Sequence, residues 1–276
     1  MNHLEFRNVS VAFGHGPRRF VAVDDVSLSV PAGKIVGLVG ESGSGKSTLA
    51  RAAVGLCEPS AGSVLLDGVQ VSHARGANAR LRQRIQMIFQ DPSSCLNPKL
   101  TIGQSVAEAL DAAAKRAGTR TGRAQRAAET ARLLESVQLP AARAADLPAA
   151  LSGGQRQRVA LARALAAAPG VILADEITSA LDVSVQGSVL NLLRHIQREL
   201  GLGILFVSHN LAVVRYLCDE VAVMQSGRLV EHGETMTVLD HPRQDYTKTL
   251  LQAVPRIGEP LFAPATGMIQ ISEGAR

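Results

Sequence analysis

The stretch Gly40-Glu41-Ser42-Gly43-Ser44-Gly45-Lys46-Ser47-Thr48 constrains this chain more than any other. It follows an apolar run, Ile35-Val36-Gly37-Leu38-Val39, that reads as a buried strand. It precedes Leu49-Ala50-Arg51-Ala52-Ala53-Val54, which reads as the start of a helix. Small residues let the backbone bend sharply, so that successive N–H groups point inward at an anion. The helix N-terminus adds its partial positive charge. A strand, a Gly-rich loop and a helix in that order form a phosphate-binding arrangement. Gly40, Ser42, Gly43, Ser44, Gly45, Lys46, Ser47 and Thr48 are therefore candidate nucleotide contacts. Lys46 is placed to reach the β- and γ-phosphates, and the Ser47 hydroxyl to ligate Mg²⁺. The competing reading is a Gly-Ser turn that happens to hold a lysine, and the flanking strand and helix argue against it. The motif gives nucleotide binding but not its use.

The rest of the chain supplies an α/β frame. Residues 4 to 12 alternate apolar and polar, as in an edge strand, and 20 to 30 repeat the pattern, closed by Pro31-Ala32-Gly33. An antiparallel β layer ahead of the loop follows. Ser63 to Leu66 and Val69 to Val71 form a hairpin across Asp67-Gly68. Ile85 to Phe89 is a short apolar strand. From about 102 to 138 the sequence is rich in Ala and Arg and helical. Val106, Leu110, Ala114 and Ala117 fall on one face, then Ala124, Ala127, Ala131 and Leu134. Residues from about 91 to 150 read as a helical insertion. Ser152 is an N-cap for a helix running to about Ala168. Val171 to Ala174 and Gly203 to Val207 are strands, with a helix over 183 to 200 between them. Val221 to Met224 and Arg228 to Val230 form a last hairpin. Strands alternating with helices imply a mainly parallel sheet. The tail from about 241 receives no fold assignment.

Composition narrows the classes. The net charge of +5 is spread over 276 residues, much of it as arginines on helix faces (Arg116, Arg120, Arg123, Arg126, Arg132). With no Trp, 2 Tyr and 6 Phe there is little to stack bases, so no nucleic-acid partner is expected. The three cysteines, Cys57, Cys95 and Cys218, form no C-x-x-C pair, which argues against a disulfide framework or structural zinc. The N-terminus lacks the apolar core of a signal peptide, and no apolar run approaches the roughly 20 residues of a membrane span. Any membrane connection is expected through a partner.

Phosphoryl transfer needs phosphates held, charge neutralised by a metal, and a water aimed in line. Asp175 closes a buried strand, where a carboxylate can act on Mg²⁺. Glu176 follows and can polarise the attacking water. Gln90 and His209 also end strands; read singly, each is an ordinary loop or surface residue, and only their company suggests more. Leu151-Ser152-Gly153-Gly154-Gln155 opens a helix with a hydroxyl, free N–H groups and a dipole, a second anion site. One phosphate chain rarely needs two such sites. The resolution is two copies facing head to tail, each supplying half of each site.

Together, residues 40–47, Gln90, 151–155, 171–176, 179–182 (Ser-Ala-Leu-Asp) and Ser208-His209 resemble the nucleotide-binding subunits of ABC transporters. The resemblance covers essentially the whole chain in order. It implies a P-loop NTPase fold of the ABC ATPase type, with an antiparallel β subdomain, a mainly parallel core sheet and a helical insertion subdomain. It implies ATP and Mg²⁺ as cofactors and ATP hydrolysis as the activity. Phe13, or less well Phe20, resembles the aromatic that stacks on adenine. Gln90 resembles the loop glutamine that couples the site to the membrane subunit, with a share in metal and water binding. Ser152, Gly154 and Gln155 resemble the signature that contacts ATP across the dimer, Asp182 the D-loop aspartate, and His209 the switch histidine on the γ-phosphate. Catalysis then falls to Glu176, His209, Gln90 and Lys46, and the metal to Ser47, Gln90 and Asp175.

Residues 90–98, 179–186 and 241–255 resemble the dipeptide, oligopeptide and nickel importer group. That resemblance divides the chain into an ABC ATPase domain over 1–240 and a C-terminal extension over 241–276. It implies a second ATPase subunit, with a lean toward a different one, two transmembrane permease subunits and an extracytoplasmic solute-binding protein. The place of work would be the cytoplasmic face of the membrane, held peripherally. Three residues depart from the pattern: Ile177 stands for proline, Asn210 for aspartate and Cys95 for a smaller residue. Some relatives hold an iron–sulfur cluster through C-terminal cysteines; no cysteine follows Cys218, so no cluster is expected. Other uses of the same chemistry fit less well. Chromosome-associated ATPases split the loop and signature with long coiled coils or carry two cassettes. A small-molecule P-loop kinase needs no Ser-Gly-Gly signature, and a degenerate regulatory subunit would not keep Lys46, Asp175, Glu176 and His209.

Overall fold

The structure is a computed structural model that describes residues 2–91, 95–179 and 181–252. Residues 253–276, most of the expected C-terminal extension, lie outside it.

Two sheets enclose the first helix. β1 (Leu4–Phe13) pairs antiparallel with β2 (Phe20–Val30) on one side and with β4 (Ala61–Leu66) on the other, and β4 pairs with β5 (Val69–Gln70). Leu4 thus faces both Val30 and Leu66. β1 is therefore an interior strand, not the edge strand its alternation suggests. Alternation reports that one face is buried; it carries no information about which edges are paired.

The second sheet has six strands in the order β10-β9-β3-β8-β7-β6. These are β3 (Ile35–Val39), β6 (Ile85–Ile88), β7 (Val171–Asp175), β8 (Gly203–Ser208), β9 (Glu220–Gln225) and β10 (Arg228–Glu234). All pairs are parallel except β9 with β10. The pleat divides β3 between two cores. Val36 and Leu38 join β1, β2, β4 and the buried residues Leu49, Ala50 and Ala53 of α1 (Lys46–Val54). Ile35 and Val39 join the opposite core with α5 (Gly153–Ala166), α6 (Val183–Leu200) and α7 (Leu211–Leu217). Every residue of β3 and β7 is buried, which is why both read as unbroken apolar runs.

Between β5 and β6 lies α2 (Gly76–Arg82), and between β6 and β7 lie α3 (Ile102–Ala117), α4 (Arg123–Ser136) and then α5. Thr101 and Gln104 cap α3 reciprocally. The buried face of α4 is Thr130, Leu133 and Leu134, whereas its Ala124 and Ala127, and Ala117 at the end of α3, are exposed. An alanine carries too little apolar area to fix a helix's rotation, so the larger leucines set it. Two short helices, α8 (Thr235–Asp240) and α9 (Asp245–Gln252), follow β10, the last inside the tail that receives no assignment from sequence. Among the described residues no helix is long and apolar enough to cross a membrane.

Candidate functional site

The strand register gathers the predicted residues. Val39 of β3 stands beside Ser208 of β8, and Asp175 of β7 beside Val207 of β8. The loop 40–45, the pair Asp175-Glu176 and the pair Ser208-His209 therefore leave the sheet side by side, at the strand ends where α/β folds bind ligands.

The loop's shape needs its glycines. Gly40 has φ +150°, and a Cβ there would lie 2.1 Å from the Met224 carbonyl oxygen. Gly45 has φ +103°, and a Cβ would lie 2.3 Å from the Ala22 carbonyl oxygen. The loop is thus wedged between β2 and the β9–β10 turn, whose Gly227 N–H donates to the Ser44 carbonyl at 3.0 Å. Lys46 is buried with its ammonium turned back on the loop. It donates to the carbonyls of Gly40 (2.9 Å) and Glu41 (2.6 Å) and to Ser44 Oγ (3.2 Å). Burial lowers its pKa below the usual lysine value, opposed by the carboxylates of Glu176, Asp175 and Glu41.

Ser47 Oγ donates to Asp175 Oδ1 at 3.0 Å. Asp175 is only 5% exposed, and burial raises its pKa against the Ser47 hydrogen bond and the Arg51 charge; Glu176 adds to the rise and Lys46 opposes it. A buried carboxylate next to a hydroxyl is a pair of oxygen donors that a hard cation such as Mg²⁺ accepts, and the cation's charge would relieve the burial.

Glu176 adopts φ +49°, left-handed for a non-glycine residue. Its N–H donates to the Val207 carbonyl (3.0 Å), and its Oε1 meets His209 Nδ1 at 3.1 Å. Both side chains line a cavity of about 130 Å³ with Ser179, Leu181 and Ser208. At about 30 Å³ per molecule that is room for a few waters. Gln90 does not reach Ser47 or Asp175 directly. Its amide donates to Ser179 Oγ (3.1 Å), and that hydroxyl donates to the Glu176 carbonyl (2.9 Å). Ser179 is the link that residue-by-residue reading missed.

Phe13 and Phe20 are cross-strand partners at the end of the β1–β2 ribbon, 47% and 62% exposed. Directly opposed residues share a face, so the two form one aromatic rung near the Ala22–Gly45 contact, and the structure does not favour Phe13 over Phe20. The signature residues stand apart. Ser152 Oγ accepts from the Gln155 N–H (3.3 Å), and Gln155 Oε1 accepts from the Ser152 N–H (3.0 Å), a capping box with an exposed serine. Gly154 is pressed against α6, where a Cβ would lie 2.3 Å from Val185 Cγ1. Asp182 is the exposed N-cap residue of α6. Among the described residues, no hydrogen bond joins 152–155 to 40–48.

Two of the departures from the pattern have local accounts. Asn210 Oδ1 accepts from the N–H groups of Ala212 (3.0 Å) and Val213 (3.3 Å), doing an aspartate's work as N-cap of α7. Ile177 is 3% exposed in the larger core, where it packs as an apolar residue.

Residues 23–179 match the family described as ABC transporter. The chain belongs to the ABC transporter family. It is an ATPase subunit of the ABC type. It is 45% identical over 234 residues to a Brucella ovis protein named for peptide import and ATP binding, covering 84% of this chain and 72% of that one. A Brucella abortus protein of the same description is 45% identical over 249 residues, covering 88% and 73%. Among solved structures, an ATP-binding cassette captured as a dimer in a post-hydrolysis state with ADP and Pi superposes with TM-score 0.74 at 28% identity, over 84% of this chain and 98% of that one. The cbiO1 protein of Clostridium perfringens, part of the ABC transporter complex cbiONQ, gives TM-score 0.75 at 26% identity, over 86% and 90%.

Proposed function

We propose that this chain hydrolyses ATP at an interface with a second ABC ATPase subunit, and that the resulting motion drives peptide uptake through two membrane permease subunits fed by an extracytoplasmic solute-binding protein. The working position is the cytoplasmic face of the membrane, held peripherally. The observation that carries the reading is an incomplete site. The loop, Ser47, Asp175, Glu176 and His209 are gathered at one set of strand ends, while among the described residues the exposed N-terminus of α5 with Ser152 makes no hydrogen bond to residues 40–48.

In this reading the loop N–H groups and Lys46 hold the phosphates, and Phe13 or Phe20 stacks on the base. Ser47 and Asp175 would hold Mg²⁺, joined by Gln90 once its amide leaves Ser179, and the cation when bound would supply positive charge against the phosphates. Glu176 accepts the proton of a water in the adjoining cavity, and His209 orients that carboxylate and contacts the γ-phosphate. Ser152, Gly154, Gln155 and Asp182 act on the partner's nucleotide. Domain limits of 1–240 for the ATPase and 241–276 for the extension accompany the proposal. A groove of about 610 Å³ between β6, α3 and α5, lined by Met87, Phe89, Cys95 and Arg163, lies next to Gln90 and suits a permease segment.

The test uses Glu176→Gln and Ser152→Arg. Glu176→Gln is expected to bind ATP, run as a dimer on size exclusion, and lose roughly 10²- to 10⁴-fold in phosphate release. Ser152→Arg is expected to bind ATP as a monomer without hydrolysing it. Near-normal turnover in the first, or lost monomer binding in the second, refutes the site. Copurification of permease subunits from a membrane extract, and stimulation by peptide-loaded binding protein, test the transport role.

A further inference from the structure

We infer that the Tyr246 hydroxyl, carried by the C-terminal helix α9, is a positioning group for the phosphate loop and sets how tightly that loop holds a nucleoside triphosphate. The inference rests on the nucleotide reading above. Tyr246 lies outside residues 23–179, the span that matches the family.

The contact is specific. The Glu41 N–H donates to Tyr246 Oη at 3.1 Å, between residues 205 positions apart. That N–H belongs to the peptide joining Gly40 and Glu41, and a peptide is planar. The same plane carries the Gly40 carbonyl, one acceptor of the Lys46 ammonium. The plane is therefore pinned at both edges, by Tyr246 on one and Lys46 on the other. A triphosphate that draws Lys46 toward itself loosens one pin. Tyr246 is then the pin that remains, and it keeps Glu41 from swinging as the lysine moves. The Glu41 carbonyl, in the next peptide along, accepts from Ser44 N–H at 3.2 Å, so the turn that opens the loop starts at the residue whose N–H Tyr246 holds.

The hydroxyl is delivered on a held element. Before α9, the N–H groups of Arg243 and Gln244 donate to the two carboxylate oxygens of Glu231 at 2.8 and 3.2 Å. Thr247 is buried, and Tyr246, Leu250 and Leu251 pack on the larger core. Glu231 belongs to β10, whose turn also braces Ser44 through Gly227. Both ends of the Glu41–Ser44 turn thus lean on the last third of the chain.

Tyr246→Phe removes the hydroxyl and keeps the ring. In the full, nucleotide-free chain, amide hydrogen exchange at the peptide holding Glu41 is expected to accelerate, with β7 and β8 unchanged. Saturating MANT-ATP is expected to restore part of the protection, and its Kd to rise about two- to tenfold, the worth of one ordinary hydrogen bond. Glu231→Gln, which loosens α9 from β10, is expected to move both readings the same way and less. A folded Tyr246→Phe variant with unchanged exchange and unchanged Kd overturns the inference, as does faster exchange spread evenly over the whole chain. If the unaltered protein binds no MANT-ATP while Tyr246→Phe still speeds exchange at Glu41, the nucleotide reading of the loop is what fails.

Discussion

Gly154→Ala isolates the packing that aims the signature helix. The added Cβ would sit 2.3 Å from Val185 Cγ1, about 1 Å inside ordinary contact, so something must move. Val185 is β-branched on a helix and has essentially one favoured rotamer, so its methyl group does not swing away cheaply. Either the side chain leaves that rotamer or α5 lifts from α6. Overpacking of this kind costs about 1–3 kcal/mol. For a chain of this size each kcal/mol shifts the melting midpoint by about 2–4 °C. Calorimetry or a dye melt of the nucleotide-free protein is expected to show a drop of roughly 2–12 °C. Val185→Ala removes the obstructing methyl, so the double variant should recover part of the loss, a coupling of about 0.5–3 kcal/mol. Because α5 begins at the signature, ATPase activity should fall in the single variant and return in part in the double. A Gly154→Ala protein with unchanged midpoint and activity, or a double variant whose losses simply add, refutes the reasoning.

Asn210→Ala removes the N-cap of α7 and is expected to cost about 1 kcal/mol in thermal or urea unfolding, whereas Asn210→Asp should match or exceed the unaltered protein because a carboxylate suits a helix N-terminus. Asp175→Asn should raise the melting midpoint of the nucleotide-free protein at neutral pH while abolishing Mg²⁺-dependent hydrolysis. The sign follows from burial: a folded-state pKa above the ordinary aspartate value means the native protein binds the extra proton, so this group's stability contribution is full below about pH 4 and lost as pH rises through the raised pKa. The gain from Asp175→Asn should therefore shrink as pH falls toward 4, and a gain constant with pH refutes the burial argument.

Local chemistry was legible in the sequence wherever a few adjacent residues state it. The loop at 40–48, the N-cap Ser152, the hairpin at Asp67-Gly68 and the buried runs of β3 and β7 all belong to that class. What stayed hidden depends on partners far along the chain. The interior place of β1 requires β4, more than 40 residues on, and leaves no mark on β1 itself. The aromatic choice between Phe13 and Phe20 dissolves once register sets them opposite each other. Gln90 is joined to Glu176 through Ser179, and a serine in a loop carries no signal of its own. Tyr246 sits in a tail whose apolar pattern is too short to name a helix. Its one informative contact is with a backbone N–H, a group every loop residue carries.

The three bonds that Lys46 makes within its own loop bear on which anions can recruit its ammonium. An ammonium already surrounded by oxygens is a poor lure for a small ion. Free orthophosphate would have to displace those acceptors with the oxygens of one phosphate group alone. A nucleoside triphosphate brings several oxygens and a ring for the aromatic rung, so the same displacement is repaid many times over. The bonds of Lys46 within its own loop thus favour a ligand with several phosphates over one with a single phosphate.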